Sequence, residues 1–150
     1  MTVRECSLML RNNRIFQSVG EDRLERLVEN ADMQTFRRGD EILSPSRGGR
    51  IIGMIITGSA AVNKGRAVIN TLVPGDIFGA VTLFSDEPSP ATTVTARIEC
   101  SAVFFEKDAI AKLIESEPGA AIGFAAYLSA RIRFLTRRIE ALTAGDSASK

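Results

Sequence analysis

The sequence contains no histidine and only two cysteines among its 150 residues. Without imidazole, the chain has no Ser–His or Cys–His catalytic pair and no histidine ligand for zinc, iron or haem. Two cysteines are also too few for an all-cysteine iron–sulfur cluster within one chain. We therefore predict no catalytic residue, no metal site and no cofactor. An enzyme that uses carboxylates alone is an alternative. However, Asp76, Asp86 and Glu87 fall at predicted turns, where we expect solvated side chains.

Long apolar runs and a strong net charge are missing as well. No segment approaches the roughly 20 apolar residues that span a bilayer, and the N-terminus has scattered charges rather than a signal-peptide core. The net charge of +1 does not indicate the large positive surface potential that is typical of nucleic-acid-binding proteins. Cys6 and Cys100 lie far apart in a chain without an export signal, so reduced thiols are expected. These features favour a cytoplasmic globular protein with no membrane partner.

The first thirty residues have helical spacing in two pieces. Ser18 and Glu21 fit a capping box, and Leu24, Leu27 and Val28 then recur at helical intervals. The pattern predicts a short amphipathic helix that ends near Ala31.

From Met33 to Phe105 the pattern changes to short apolar stretches separated by glycine-containing turns. This spacing is typical of a β-sandwich or barrel. Within the stretch TTVTARIECSAVFF, apolar and polar residues alternate, which predicts one strand with one buried face. The predicted buried residues are Val94, Ala96, Ile98, Cys100 and Ala102. Burial of Cys100 favours an inert thiol, whereas the role of Cys6 stays open.

Helical spacing returns after Glu106. We expect one helix over 107–117 and a longer one that starts at Pro118 and ends near Leu142, before Gly145. Along the longer helix, seven apolar residues alternate in steps of four and three, a heptad pattern that favours a two-stranded coiled coil over packing in the chain's own core. This predicted dimer seam comprises Ala121, Ala125, Leu128, Ile132, Leu135, Ile139 and Leu142. Four further residues, Ile122, Phe124, Tyr127 and Phe134, are expected to pack the helix onto the strands.

Two stretches carry a resemblance to a known family. The opening IFQSVGEDRLERLVENADMQTFRRGDEIL resembles the entry segment of Crp/Fnr-family effector domains. The second stretch resembles the strand, hairpin and phosphate-cassette run of these effector domains, and it reads IIGMIITGSAAVNKGRAVINTLVPGDIFGAVTLFSDEPSPATTVTA. The resemblance implies an α+β, mainly β fold: a double-stranded β-helix, or jelly-roll-like β-roll, with N-terminal helices and a long C-terminal dimerisation helix. It divides the chain into a β-roll effector domain at 1–117, a dimerisation helix at 118–143 and a hinge or tail at 144–150.

In this family, such a hinge leads to a helix-turn-helix domain that binds DNA. The resemblance therefore implies DNA binding only through a domain beyond Lys150, and the arginines of RIRFLTRR are not expected to bind DNA alone. We expect the chain to be a fragment of a longer regulator. The alternative is a protein that lacks a DNA-binding domain.

The ligand site departs from the family pattern. Relatives that bind cyclic nucleotides carry a glutamate for the ribose and an arginine for the phosphate, and this chain has Ala80 and Pro90 at those positions. A buried phosphate needs a matching cation, so we predict no useful affinity for cAMP or cGMP. The predicted pocket, suited to a neutral or weakly polar effector, comprises Gly79, Ala80, Val81, Thr82, Ala91, Thr92 and Thr93, with a cap at Leu135 and Thr136. Two alternatives stay open: an anion at the Gly79–Ala80 turn with Thr92 or Thr93, and a cavity filled by side chains.

Two functions follow from this pattern. The first is the effector-sensing, dimerising domain of a transcription regulator, in which an unidentified small molecule shifts a homodimeric helix pair. The second is a stand-alone dimeric binding or scaffold module with a degenerate pocket.

Overall fold

A computed structural model describes residues 1–44, 51–84 and 92–148, without the side chains of Thr82 and residues 146–148. The helices are α1 (Val3–Arg11), α2 (Glu21–Glu29), α3 (Lys107–Ser116) and α4 (Pro118–Ala148), with a 3-10 turn at Ala80–Thr82. The strands are β1 (Asp32–Phe36), β2 (Glu41–Leu43), β3 (Ile51–Thr57), β4 (Ala60–Lys64), β5 (Ala67–Leu72), β6 (Ile77–Phe78), β7 (Thr93–Ala96) and β8 (Cys100–Glu106). None of the helices in these ranges is long and apolar enough to cross a membrane.

The strands form two antiparallel sheets of four strands each. The first sheet has the order β1-β8-β3-β6 and the second has the order β2-β7-β4-β5. Strands that are neighbours in sequence often lie in different sheets, as expected of a roll. The predicted mainly-β fold with flanking helices is confirmed.

The core has two layers, one on each face of the first sheet. In β3, Ile52, Met54 and Ile56 pack towards the helices, whereas Ile55 packs between the sheets. Because successive side chains of a strand point to opposite faces, one strand contributes to both layers. We call these layers the helix-side core and the inter-sheet core.

The stretch predicted as one strand is two strands. Val94, Ala96, Cys100 and Ala102 are buried as predicted, but Ile98 is 54% exposed. Residues 97–99 form a bend between β7 in the second sheet and β8 in the first. The alternation continues in phase across the bend, which is why the sequence pattern did not reveal it.

The capping box predicted at Ser18 and Glu21 is wrong. Helix α2 begins after Gly20, and no side chain caps it. A capping box occurs instead at α1, where the Thr2 hydroxyl accepts a hydrogen bond from the Glu5 N–H at 3.1 Å and the Glu5 carboxylate accepts one from the Thr2 N–H at 2.8 Å.

Helix α4 begins at Pro118, as predicted, but its predicted end near Leu142 is wrong. It continues through Gly145 to Ala148, so residues 144–148 are helical. A single exposed glycine costs only about 1 kcal/mol in a helix, and no proline follows it here to stop the helix. At the other end of α4, Gly123 lies so close to the backbone of Arg14 that a Cβ atom would overlap it.

Candidate ligand-binding site

A cavity of about 250 Å³ lies between the second sheet and α4. Most of its walls are aliphatic or aromatic side chains from both sheets, and its polar residues are few. The lining residues are Leu43, Val62, Ile69, Asn70, Leu72, Ile77, Phe78, Gly79, Val81, Thr92, Val94, Tyr127 and Arg131. Small-molecule sites usually combine apolar walls with a few polar groups in this way.

Three residues of the predicted pocket line this cavity: Gly79, Val81 and Thr92. Gly79 has a φ of +86°, a conformation that glycine adopts without strain, and it starts the 3-10 turn. Thr93 is half-buried but does not line the cavity. Ala91 lies outside the described residues, as does the side chain of Thr82.

Ala80, the residue at the family's glutamate position, does not line the cavity either. It is fully buried and belongs to the helix-side core. Pro90, at the arginine position, lies outside the described residues. The turn at 80–82 is also too short to act as a helix N-terminus towards an anion.

Leu135 and Thr136, the predicted cap, do not line this cavity in the single chain. Leu135 is 42% exposed, and the Thr136 hydroxyl donates to the Ile132 carbonyl of its own helix at 2.8 Å. The helix contributes Tyr127 and Arg131 instead. These two residues are four positions apart, so both lie on the same helix face.

Tyr127 and Arg131 bring donor groups to the cavity. The Tyr127 hydroxyl lies 3.5 Å from the Ile77 carbonyl oxygen, which is a long contact. Burial, together with the nearby Asp76 carboxylate, raises the pKa of Tyr127, although the Arg131 guanidinium lowers it. Nε of Arg131 is buried and has no hydrogen-bond partner within the described parts of the chain.

A second, more polar recess of about 460 Å³ adjoins this cavity. Asn70, Tyr127 and Arg131 line both spaces, so they form the boundary between them. The recess also includes Arg14 and Asp76. Asp76 is a turn residue, as expected, because its Oδ2 accepts a hydrogen bond from the Val73 N–H at 2.8 Å. Asp86 and Glu87 lie outside the described residues.

The predicted dimer seam is largely exposed in the single chain. Ile132, Leu135, Ile139 and Leu142 are 42–65% exposed, so the alternative that they pack in the chain's own core is wrong. Ala121 and Ala125 are exposed too, whereas Leu128 packs against the helix-side core.

The residues expected to pack α4 onto the strands differ in burial. Phe124 is buried and Tyr127 packs beside it, but Phe134 is 43% exposed. The prediction for Ile122 is wrong, because this side chain is 72% exposed.

Both thiols are buried. Burial raises the pKa of Cys6, and burial together with the Asp40 charge raises that of Cys100. A thiol with a raised pKa is a poor nucleophile at neutral pH. The predicted burial of Cys100 is confirmed.

Residues 33–117 match the family model described as the cyclic nucleotide-binding domain. Over 84 residues the chain is 30% identical to a cAMP-dependent protein kinase regulatory subunit of Debaryomyces hansenii, and over 126 residues it is 29% identical to a CRP-like cAMP-activated global transcriptional regulator of Mycobacterium tuberculosis. These matches cover 55% and 79% of this chain, but only 19% and 55% of the two relatives.

The fold is similar to that of the sensor domain of the transcriptional regulator DNR from Pseudomonas aeruginosa. The TM-score is 0.75 at 17% identity, and the match covers 83% of this chain and 91% of that domain. At this identity the likeness concerns the fold alone.

Proposed function

Because the chain belongs to the cyclic nucleotide-binding domain family and is a Crp/Fnr-type effector domain, we propose that it senses a small molecule and transmits binding through α4. The observation that carries this proposal is the shared lining of the cavity. The second sheet contributes Ile69 and Leu72, and α4 contributes Tyr127 and Arg131. A ligand that contacts both elements can stabilise one position of the helix relative to the roll.

The proposed effector is not cAMP or cGMP. The chain has Ala80 and Pro90 in place of the two polar anchors, and each charged hydrogen bond contributes roughly 1.5–3 kcal/mol. Calorimetry is therefore expected to detect no cAMP binding at micromolar concentrations, with a cAMP-binding relative as the positive control. A micromolar or tighter dissociation constant contradicts this part of the proposal.

We also propose that α4 forms a parallel homodimer through the exposed seam. Four large apolar side chains in one row, Ile132, Leu135, Ile139 and Leu142, are costly to leave in water, and a second copy of the same helix offers a matching row. The expected species in sedimentation is a dimer that Ile139→Lys dissociates. Ile98→Lys is the matched control, because Ile98 is similarly exposed but lies in the bend between β7 and β8. A monomeric wild-type protein, or dissociation by both variants, contradicts the seam.

DNA binding is proposed for a separate helix-turn-helix domain in a longer regulator, with no catalysis by this chain. The match to the Mycobacterium tuberculosis regulator supports a longer protein, because it covers only 55% of that regulator. We expect this chain alone to shift no duplex DNA in gel assays at physiological salt.

A metabolite panel separates the sensor from a scaffold with a degenerate pocket. The sensor proposal expects at least one compound to raise the melting temperature, or a small molecule to appear in mass spectra of the purified protein. If neither occurs, the scaffold alternative is favoured.

A further inference from the structure

Three side chains at the polar edge of the 250 Å³ cavity carry hydrogen-bond donors. Asn70, Tyr127 and Arg131 stand together where the apolar space meets the outer recess. Asn70 Oδ1 accepts a hydrogen bond from the Thr71 N–H at 2.9 Å, and the amide nitrogen of the same side chain supplies donors. An arginine side chain has donors only.

Two of these donors are poorly satisfied within the chain. Nε of Arg131 is buried and lacks a partner in the described residues, and the Tyr127 hydroxyl has only the 3.5 Å contact to Ile77. Buried donors in native proteins are nearly always paired, so an unpaired donor at a cavity edge is a candidate contact for a bound acceptor group. The guanidinium also adds a positive charge at the same point.

Negative charge lies on the outer side of this edge. No carboxylate is among the described residues that line the inner cavity, and Asp76 lines only the outer recess. Asp76 and Arg131 form no salt bridge in the described structure. A negatively charged group at the edge of the inner cavity would thus meet an unpaired cation there.

We propose that this cavity binds a small amphipathic carboxylate, with Arg131 as the residue that selects the acid over a neutral analogue. This inference rests on the proposed function, because it specifies the ligand class of the same cavity. The carboxylate accepts hydrogen bonds from Arg131, Tyr127 and Asn70, and the apolar body of the ligand lies against Leu72, Ile77 and the other aliphatic walls.

The size and charge of the site favour a carboxylate over a phosphate dianion. Ligand pockets commonly measure roughly 300–1,000 Å³, so a cavity of about 250 Å³ suits a small ligand. Among the described residues that line it, Arg131 is the one cation, so the second charge of a dianion would lack a partner.

The test uses matched acid–amide pairs, which differ in charge but hardly in shape: hexanoate and hexanamide, octanoate and octanamide, benzoate and benzamide. Each compound is titrated calorimetrically into the wild-type protein and two variants, Arg131→Gln and Arg133→Gln. Arg133 is the control, because it is an exposed arginine of the same helix that does not line the cavity. Both variants lose one positive charge.

In at least one pair, we expect the wild type to bind the acid at least about tenfold more tightly than the amide, because a charge-assisted hydrogen bond contributes this much. Arg131→Gln should abolish this preference, and Arg133→Gln should retain it. Equal binding of acid and amide overturns the inference but leaves the ligand-sensing function intact. A preference that survives in Arg131→Gln also overturns it. If no compound binds in this test or in the metabolite panel, both proposals fail.

Discussion

Nη1 of Arg138 on α4 lies 2.6 Å from the carbonyl oxygen of Ile69 on β5, and Nη2 lies 3.1 Å from that of Val68. Ile69 also lines the cavity, so these hydrogen bonds tie the exposed half of α4 to a wall of the site. Both bonds are at an exposed side chain, where solvent reduces their contribution.

Replacement of Arg138 by Met should loosen this connection. We expect amide hydrogen exchange in β5 and in residues 132–142 to accelerate by about three- to tenfold, because the tether contributes roughly 0.7–1.4 kcal/mol. Exchange mass spectrometry measures the change. Arg137→Met is the control, since Arg137 is exposed and makes no hydrogen bond in the described structure. Equal acceleration in both variants would rule out the tether.

Gly123 should not tolerate even the smallest side chain. A Cβ atom there meets the Arg14 carbonyl group and lies 3.1 Å from the Ile15 Cα, so Gly123→Ala forces α4 away from the loop after α1. We expect the free energy of unfolding to fall by roughly 1–3 kcal/mol in urea titrations, despite the better helix propensity of alanine.

Gly145 in the same helix provides the opposite case. No atom lies within 4 Å of a Cβ at this position, so Gly145→Ala should leave stability unchanged or raise it by up to about 1 kcal/mol. If both substitutions change the free energy of unfolding by the same amount and in the same direction, close packing at Gly123 is not the cause of the change.

Tyr127 should make the protein less stable at alkaline pH. Its pKa is raised in the folded state above the ordinary value of 10.0, first of all by burial, so the folded chain holds the phenolic proton more tightly than the unfolded chain. The contribution of Tyr127 to the free energy of unfolding is fully present below pH 10. This contribution decreases as the pH rises through the raised pKa.

Absorbance at 295 nm measures this titration directly, because the chain has one tyrosine. The native protein is expected to ionise above the ordinary range, and Tyr127→Phe should reduce the loss of stability above pH 10. A phenolate that forms at or below pH 10 in the native protein contradicts the burial of this side chain.

The two thiols should be unreactive in the native state. Cys6 and Cys100 are at most 1% exposed and their pKa values are raised, first of all by burial, so little thiolate is accessible near pH 7. Ellman's reagent is expected to react slowly with folded protein and to titrate both thiols after unfolding in guanidinium chloride. Rapid reaction of either thiol in native protein would instead support a redox role.

Much of the fold could be predicted from local patterns. Side-chain spacing and proline chemistry act over a few residues. They predict that helices start at Lys107 and Pro118 and that Val94 and Cys100 are buried. The exposed bend at Ile98 could not be found in this way. A bend that keeps the alternation in phase looks like a continuous strand until its two ends are seen in different sheets.

The sequence by itself determined that alanine and proline occupy positions 80 and 90, where the family resemblance implies side chains that bind a nucleotide, and that an apolar heptad row runs along the last helix. Those properties depend on which side chains are present and on their spacing within one element. Only the tertiary structure decided that Asn70, Tyr127 and Arg131 share one cavity edge and that Ala80 belongs to the helix-side core. Residues distant in sequence come together only when the sheets close and α4 docks, and no local pattern encodes that arrangement.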